Sequence, residues 1–141
     1  MEYNWKGGVN LIYNVSRIKE NLDHEFIIDT GATVSIASEK WLLSHVKWLQ
    51  GKDKPDTLWT TAKKPFRFGN TNLNYCSAVA TTPIAIGNQW RLFEVHIFKE
   101  DVPNLLSIRG ISQLGGNIDI PNMRLNLKDG EKIPLNKKRT G

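Results

Sequence analysis

One cysteine, Cys76, stands in the whole chain, so no internal disulfide can form. The histidines, His24, His45 and His96, are scattered and share no zinc-ligand spacing with it. Each reads as a surface or half-buried side chain, and neither a metal nor an organic cofactor is expected. Long apolar runs are also lacking: none approaches the roughly 20 residues that cross a bilayer. Met1 to Trp5 has none of the apolar character of a secretory leader. These absences point to an intracellular, cytoplasmic protein without a membrane partner. In that setting the sequon Asn14-Val15-Ser16 carries no meaning.

Acidic residues are the minority, 14 against 19 Lys and Arg, for a formal charge of +5. The excess lies in Lys52, Lys54, Lys63, Lys64 and the terminal Lys137-Lys138-Arg139. These residues form no stripe interleaved with aromatics, so they read as solubilising charge plus a disordered basic tail over 137–141. Nucleic-acid binding is expected to be weak at most.

What is present is a chain of 141 residues with 40% apolar content, enough for one cored domain over 1–136 and too little for two. Short patterned segments dominate. Val9 to Val15 and His24 to Asp29 read as strands, and Thr33 to Ile36 as another. Ser38 is an N-cap candidate for a helix running to Leu49, with Trp41, Leu42, His45, Val46 and Leu49 on its inner face. Phe66 to Tyr75 forms two arms around a Gly-Asn-Thr-Asn tip. The second arm continues to Ile86, and Gly87-Asn88 turns it back into Trp90 to Phe98. Ile108 to Leu114 fits two helical turns stopped by Gly115-Gly116. After a strand at Asn117 to Ile120, Arg124 to Leu135 makes a last hairpin about Asp129-Gly130. The sum is a mainly β fold, a small closed barrel-like domain with one or two short helices.

The most informative stretch is Phe26-Ile27-Ile28-Asp29-Thr30-Gly31-Ala32-Thr33-Val34. It sets a carboxylate at the end of a buried strand, directly before a tight turn. Such a group costs free energy unless the site feeds it hydrogen bonds. Asp and Gly also cap ordinary turns, so the tripeptide alone does not decide. A second apolar turn, Asn104-Leu105-Leu106-Ser107, precedes a short helix far downstream. Together these segments, over roughly Val9 to Ile120, resemble the retropepsins, the retroviral-type aspartic proteases.

The resemblance implies a homodimer with Asp29 of each subunit as catalytic acid and base. Thr30, Gly31 and Ala32 would complete the active-site loop. The flap would be the hairpin with Phe66, Arg67, Phe68, Gly69 and Asn70 in and near its tip, and the substrate groove would take Val34, Leu105 and Ile108. Asp-Thr-Gly occurs once, so a site of two carboxylates needs a second chain.

Ser107 stands where the family usually has Gly. Ile108 and Thr33 stand where many retroviral members have an ion pair. An extra hairpin over 121–135 follows the family core. These departures look more like an LTR-retrotransposon protease that processes a Gag-Pol-like polyprotein, with retroelement particles as a second setting beside the cytoplasm. The alternative is a catalytically weak retropepsin-like module for dimerisation or peptide binding.

Overall fold

Alternation of side chains along three neighbouring strands places the two cores of this chain. The computed structural model describes residues 10–13, 25–29, 34–67, 73–86, 89–113 and 115–137. Strands are β1 (Asn10–Tyr13), β2 (Glu25–Asp29), β3 (Ser35–Ser38), β4 (Leu58–Thr61), β5 (Pro65–Arg67), β6 (Leu73–Tyr75), β7 (Ala78–Ile86) and β8 (Gln89–Phe98). They continue as β9 (Leu105–Ser107), β10 (Asn117–Asp119), β11 (Arg124–Asn126), β12 (Lys132–Pro134) and β13 (Asn136–Lys137), with helices α1 (Glu39–Leu49) and α2 (Ile108–Gln113).

Eight strands form one mixed sheet in the order β13-β1-β2-β9-β3-β8-β7-β4, and β10-β11-β12 and β5-β6 form two small sheets. Ala37 on β3, Ile97 on β8 and Leu106 on β9 face a large core with Phe26, Ile28, Trp41 and Phe93. Their chain neighbours Ile36, Phe98 and Leu105 face a second, smaller cluster. That is the period of two expected of a sheet covered on both faces.

The mainly β architecture agrees with the sequence expectation, and the closed barrel is corrected. Among the described residues the large sheet is open, with β13 and β4 at its ends. Closure would need those outer strands to pair, and β4 carries exposed Leu58 and Trp59 instead. β4 itself gave little signal, because Leu-Trp-Thr-Thr is exposed throughout and lacks alternation. The strand expected at Thr33 to Ile36 begins at Ser35 and runs to Ser38, in register with Val95 to Phe98 of β8.

The basic tail is corrected at its first residue. Lys137 lies in β13, where Ile12↔Asn136 and Tyr13↔Lys137 pair in parallel with β1. The hairpin over 121–135 is present as β11 and β12, and β10 joins it to make three strands.

Helix α1 forms as the sequence suggests. Ser38 Oγ accepts from the Trp41 amide at 3.1 Å, which satisfies one of the free N–H groups of the first turn. Trp41, Leu42, His45 and Leu49 are buried. We expect Ser38→Ala to cost about 1 kcal/mol, read as a lower urea midpoint with an unchanged slope.

The expectation of exposed or half-buried histidines is corrected at two positions, since His45 is 7% and His96 4% exposed. His45 lies between Trp41 (centroids 4.7 Å apart) and Trp48 (5.7 Å). Its Nε2 donates to the Pro83 carbonyl at 2.7 Å, tying α1 to β7. Burial lowers its pKa, against the opposing effect of that bond.

Trp48 in turn stacks on Trp90 at 5.8 Å, with Lys52 4.5 Å over Trp48 and Lys54 4.7 Å over Trp90. Basic residues therefore do meet aromatics, contrary to the sequence reading. They cover ring faces of their own chain.

Helix α2 ends in a Schellman turn. The Gly115 amide donates to Ser112 O at 2.9 Å and the Gly116 amide to Ile111 O at 3.2 Å. Gly115 has φ +67, and a Cβ there would lie 3.0 Å from Lys128 Cβ, so this stop requires glycine twice over.

Candidate active site

Two strands far apart in sequence meet where β2 ends at Asp29. β2 and β9 run parallel, with Ile27↔Leu105, Ile28↔Leu106 and Asp29↔Ser107 in register. The Ile27 amide also donates to the Asn104 carbonyl at 2.8 Å. On its other side β9 meets β3 through Ile36↔Leu105. The chain thus leaves β2 at Asp29, returns as β3, and is held apart at its base by β9.

Phe26, Ile28 and Leu106 are 1–2% exposed and anchor this junction in the main core. Gly110 permits the close approach of α2 from below. A Cβ there would come within 3.0 Å of Leu106 Cδ1 and 3.3 Å of Phe93 Cε2.

Ser107 is more than a tolerated substitute for glycine. Its Oγ accepts from the Gly110 amide at 3.2 Å, capping α2. Its own amide donates to Ser35 Oγ at 3.1 Å, and the Ser35 hydroxyl lies 3.4 Å from Ser107 Oγ as donor. Both serines are buried, so the pair is a bracket that satisfies polar groups at the foot of the Asp29 turn. A polar cavity of about 60 Å³ lies beside it, lined by Val34, Ser35, Glu94, Ser107 and Arg109 among others. The sequence reading passed over Ser35. The available signal was a small polar residue opening an otherwise buried strand, Ser-Ile-Ala-Ser.

The second cluster forms an apolar floor next to this turn. Ile36, Cys76, Phe98 and Val102 are its buried members, and Val34, Ala62, Phe66 and Leu105 pack against them. The structure therefore brings together Val34 and Leu105, two of the expected substrate-groove residues, with Phe66 of the expected flap. Phe66 meets Phe98 edge-on at 5.2 Å and His96 at 5.3 Å.

Arg67 closes β5 and pairs with Leu73 of β6, so both arms of the expected hairpin exist at its root. Ile108 is the first residue of α2. Thr30, Gly31, Ala32, Phe68, Gly69 and Asn70 lie outside the described residues.

Other acids have different roles where they are described. Asp119 accepts from the Asn122 side chain at 2.9 Å and its amide at 3.3 Å, and Arg124 lies 3.7 Å away. The Asn122 side-chain bond lowers its pKa against the opposing effect of desolvation, and the Asn122 amide bond and Arg124 add to the lowering. It is the carboxylate of a turn in the three-stranded sheet.

Among the described residues no helix is long and apolar enough to cross a membrane, and no group of three or more acidic, His or Cys side chains could hold a metal ion. No family model and no curated protein matches the chain.

Proposed function

We propose that this chain is one half of a retropepsin-like aspartic endopeptidase. One observation carries the reading: the strand ending in Asp29 is locked in register with Ser107, beside an apolar floor roofed by Phe66 of a separate hairpin. A carboxylate at a braced strand end, beside an apolar cluster against which a hairpin packs, is what supports hydrolysis of an extended peptide.

The chemistry needs a second carboxylate about 3 Å away, so that one proton is shared and a water is held between acid and base. Asp-Thr-Gly occurs once in the sequence and Asp119 is committed elsewhere. The partner acid is therefore Asp29 of a second copy on a two-fold axis, and the pair titrates as a unit. Substrate is an extended, apolar-rich segment, held strand-like over Val34, Leu105 and Ile108 beneath the β5–β6 flap. A Gag-Pol-like polyprotein of a retroelement supplies such segments.

The test is molar mass and peptidase activity across one dilution series. Dimer mass and activity should fall together, with specific activity proportional to the dimer fraction. A strict monomer that still cleaves peptides would overturn the proposal. A dimer that binds unstructured peptide without pepstatin-sensitive cleavage would replace it with the binding-module reading.

A further inference from the structure

His96 is a buried ionisable group that the proposed reaction leaves unused. It sits on β8 opposite Ile36 of β3 and Val79 of β7, and it is 4% exposed. Among the described residues its Nδ1 has no hydrogen-bond partner. Phe66, from the root of the β5–β6 hairpin, stands edge-on to the ring at 5.3 Å. The ring also interacts with the backbone of Ser35, the residue whose hydroxyl completes the bracket with Ser107. One imidazole therefore touches both the hairpin root and the foot of the Asp29 turn.

The surroundings suit only the neutral ring. A proton on Nδ1 would create a buried donor with nothing to receive it. Desolvation lowers the pKa below 6.5, Lys64 from the segment leading into β5 lowers it further, and Glu94 on β8 and the Ser35 backbone bond oppose them. β3 and β7 present no titratable side chain opposite it, Ile36 and Val79 being its register partners, and Cys76 adds only a thiol to the same cluster.

We infer that His96 is a positioning residue whose neutral form seats Phe66 and the β5–β6 ladder on the apolar floor, coupling that ladder to the Ser35–Ser107 bracket. The clause naming substrate rests on the proposed function: seating governs how tightly peptide is held, and it leaves the carboxylates untouched. The sign follows from linkage. The unseated ring has an ordinary pKa near 6.5 and the seated ring a lower one. Seating is therefore complete above pH 6.5 and weakens as pH falls from there toward the seated value. The loss is about tenfold per pH unit and stops below that value.

The experiment uses Asp29→Asn protein, so that no self-cleavage intervenes, and follows amide hydrogen-exchange protection together with the His96 ring resonances from pH 7.5 to 5. Protection of the Phe66 and Asn74 amides, the hydrogen-bonded pair of that ladder, should fall by up to about tenfold per unit below pH 6.5, while the β7–β8 ladder keeps its protection. His96→Gln retains an amide donor that does not titrate, and it should remove the pH response of β5–β6 while preserving the ladder at pH 7.5. In the active protein KM should rise toward acid with kcat following the carboxylates, and Gln should abolish the rise in KM.

A β5–β6 protection that ignores pH while His96 titrates would overturn the inference. So would an equal fall across β7–β8, which would assign the effect to global loosening through His45. The exchange result is independent of catalysis. If the protein hydrolyses nothing yet β5–β6 responds as stated, the positioning role stands and only the peptidase reading falls.

Discussion

Asp29→Asn should leave the protein folded and able to dimerise while removing peptide hydrolysis by on the order of 10⁴-fold or more. The substitution keeps the shape of the side chain at the end of β2 and deletes the one property the proposed reaction would use, a carboxylate able to share a proton with the same residue of a second copy. Among the described residues nearby, Ser35 and Ser107 are committed to each other and to the Gly110 amide and offer no carboxylate. Cleavage of an unstructured peptide, measured beside molar mass and far-ultraviolet circular dichroism, checks the result. Retained proteolysis with a normal fold would remove Asp29 from the mechanism. A rate independent of pH from mildly acidic to alkaline conditions would count equally against a shared proton.

Trp41→Ala should destabilise the fold by about 3–5 kcal/mol, a large part of the 5–15 kcal/mol typical of a domain. Trp41 is 2% exposed and stands edge-on to Phe26 at 5.2 Å, three residues before Asp29 on the same strand. Removing the indole opens a cavity beneath β2 and uncovers one face of His45, whose neutral state depends on burial. Urea unfolding gives the magnitude, and Trp41→Phe should lose much less because it keeps an aromatic ring against Phe26. A cost under about 1 kcal/mol for alanine would show that α1 does not brace the strand carrying the acid.

The sequence was most readable where a local rule and a tertiary need coincide. Ser38 had to cap and Trp41, Leu42 and Leu49 had to face inward, so α1 appeared at its true bounds. The β7–β8 pairing was visible because its alternation is long, from Ala78↔Ile97 to Ile86↔Gln89. Leu105 and Val34 were picked from the family likeness as groove residues, and what the structure shows of them is packing, with Phe66, against the second cluster.

What stayed hidden depends on partners distant in sequence. The bracket partner of Ser107 is Ser35, across a separation that no local pattern encodes. Parallel pairing of Lys137 with Tyr13 cannot be seen from a basic run, which by itself reads as a solvated end. Burial of His96 follows from what covers β8, and its own segment shows only an alternating strand. The openness of the sheet is likewise a statement about β4 and β13, the two strands with the weakest patterns.

The Ser35–Ser107 bracket has a kinetic consequence as well. It joins residues 72 apart in the chain, across β3 and β9, which meet antiparallel through Ile36↔Leu105. Helix α1 and the β7–β8 hairpin involve near neighbours and can form early, whereas β9 must insert between β2 and β3 after the intervening chain has collapsed. The brace at the foot of the Asp29 turn therefore comes late in folding. A nascent or partly folded chain carries the carboxylate without the bracket beside it, and the proposed site is complete only once the fold is finished and a second copy has joined.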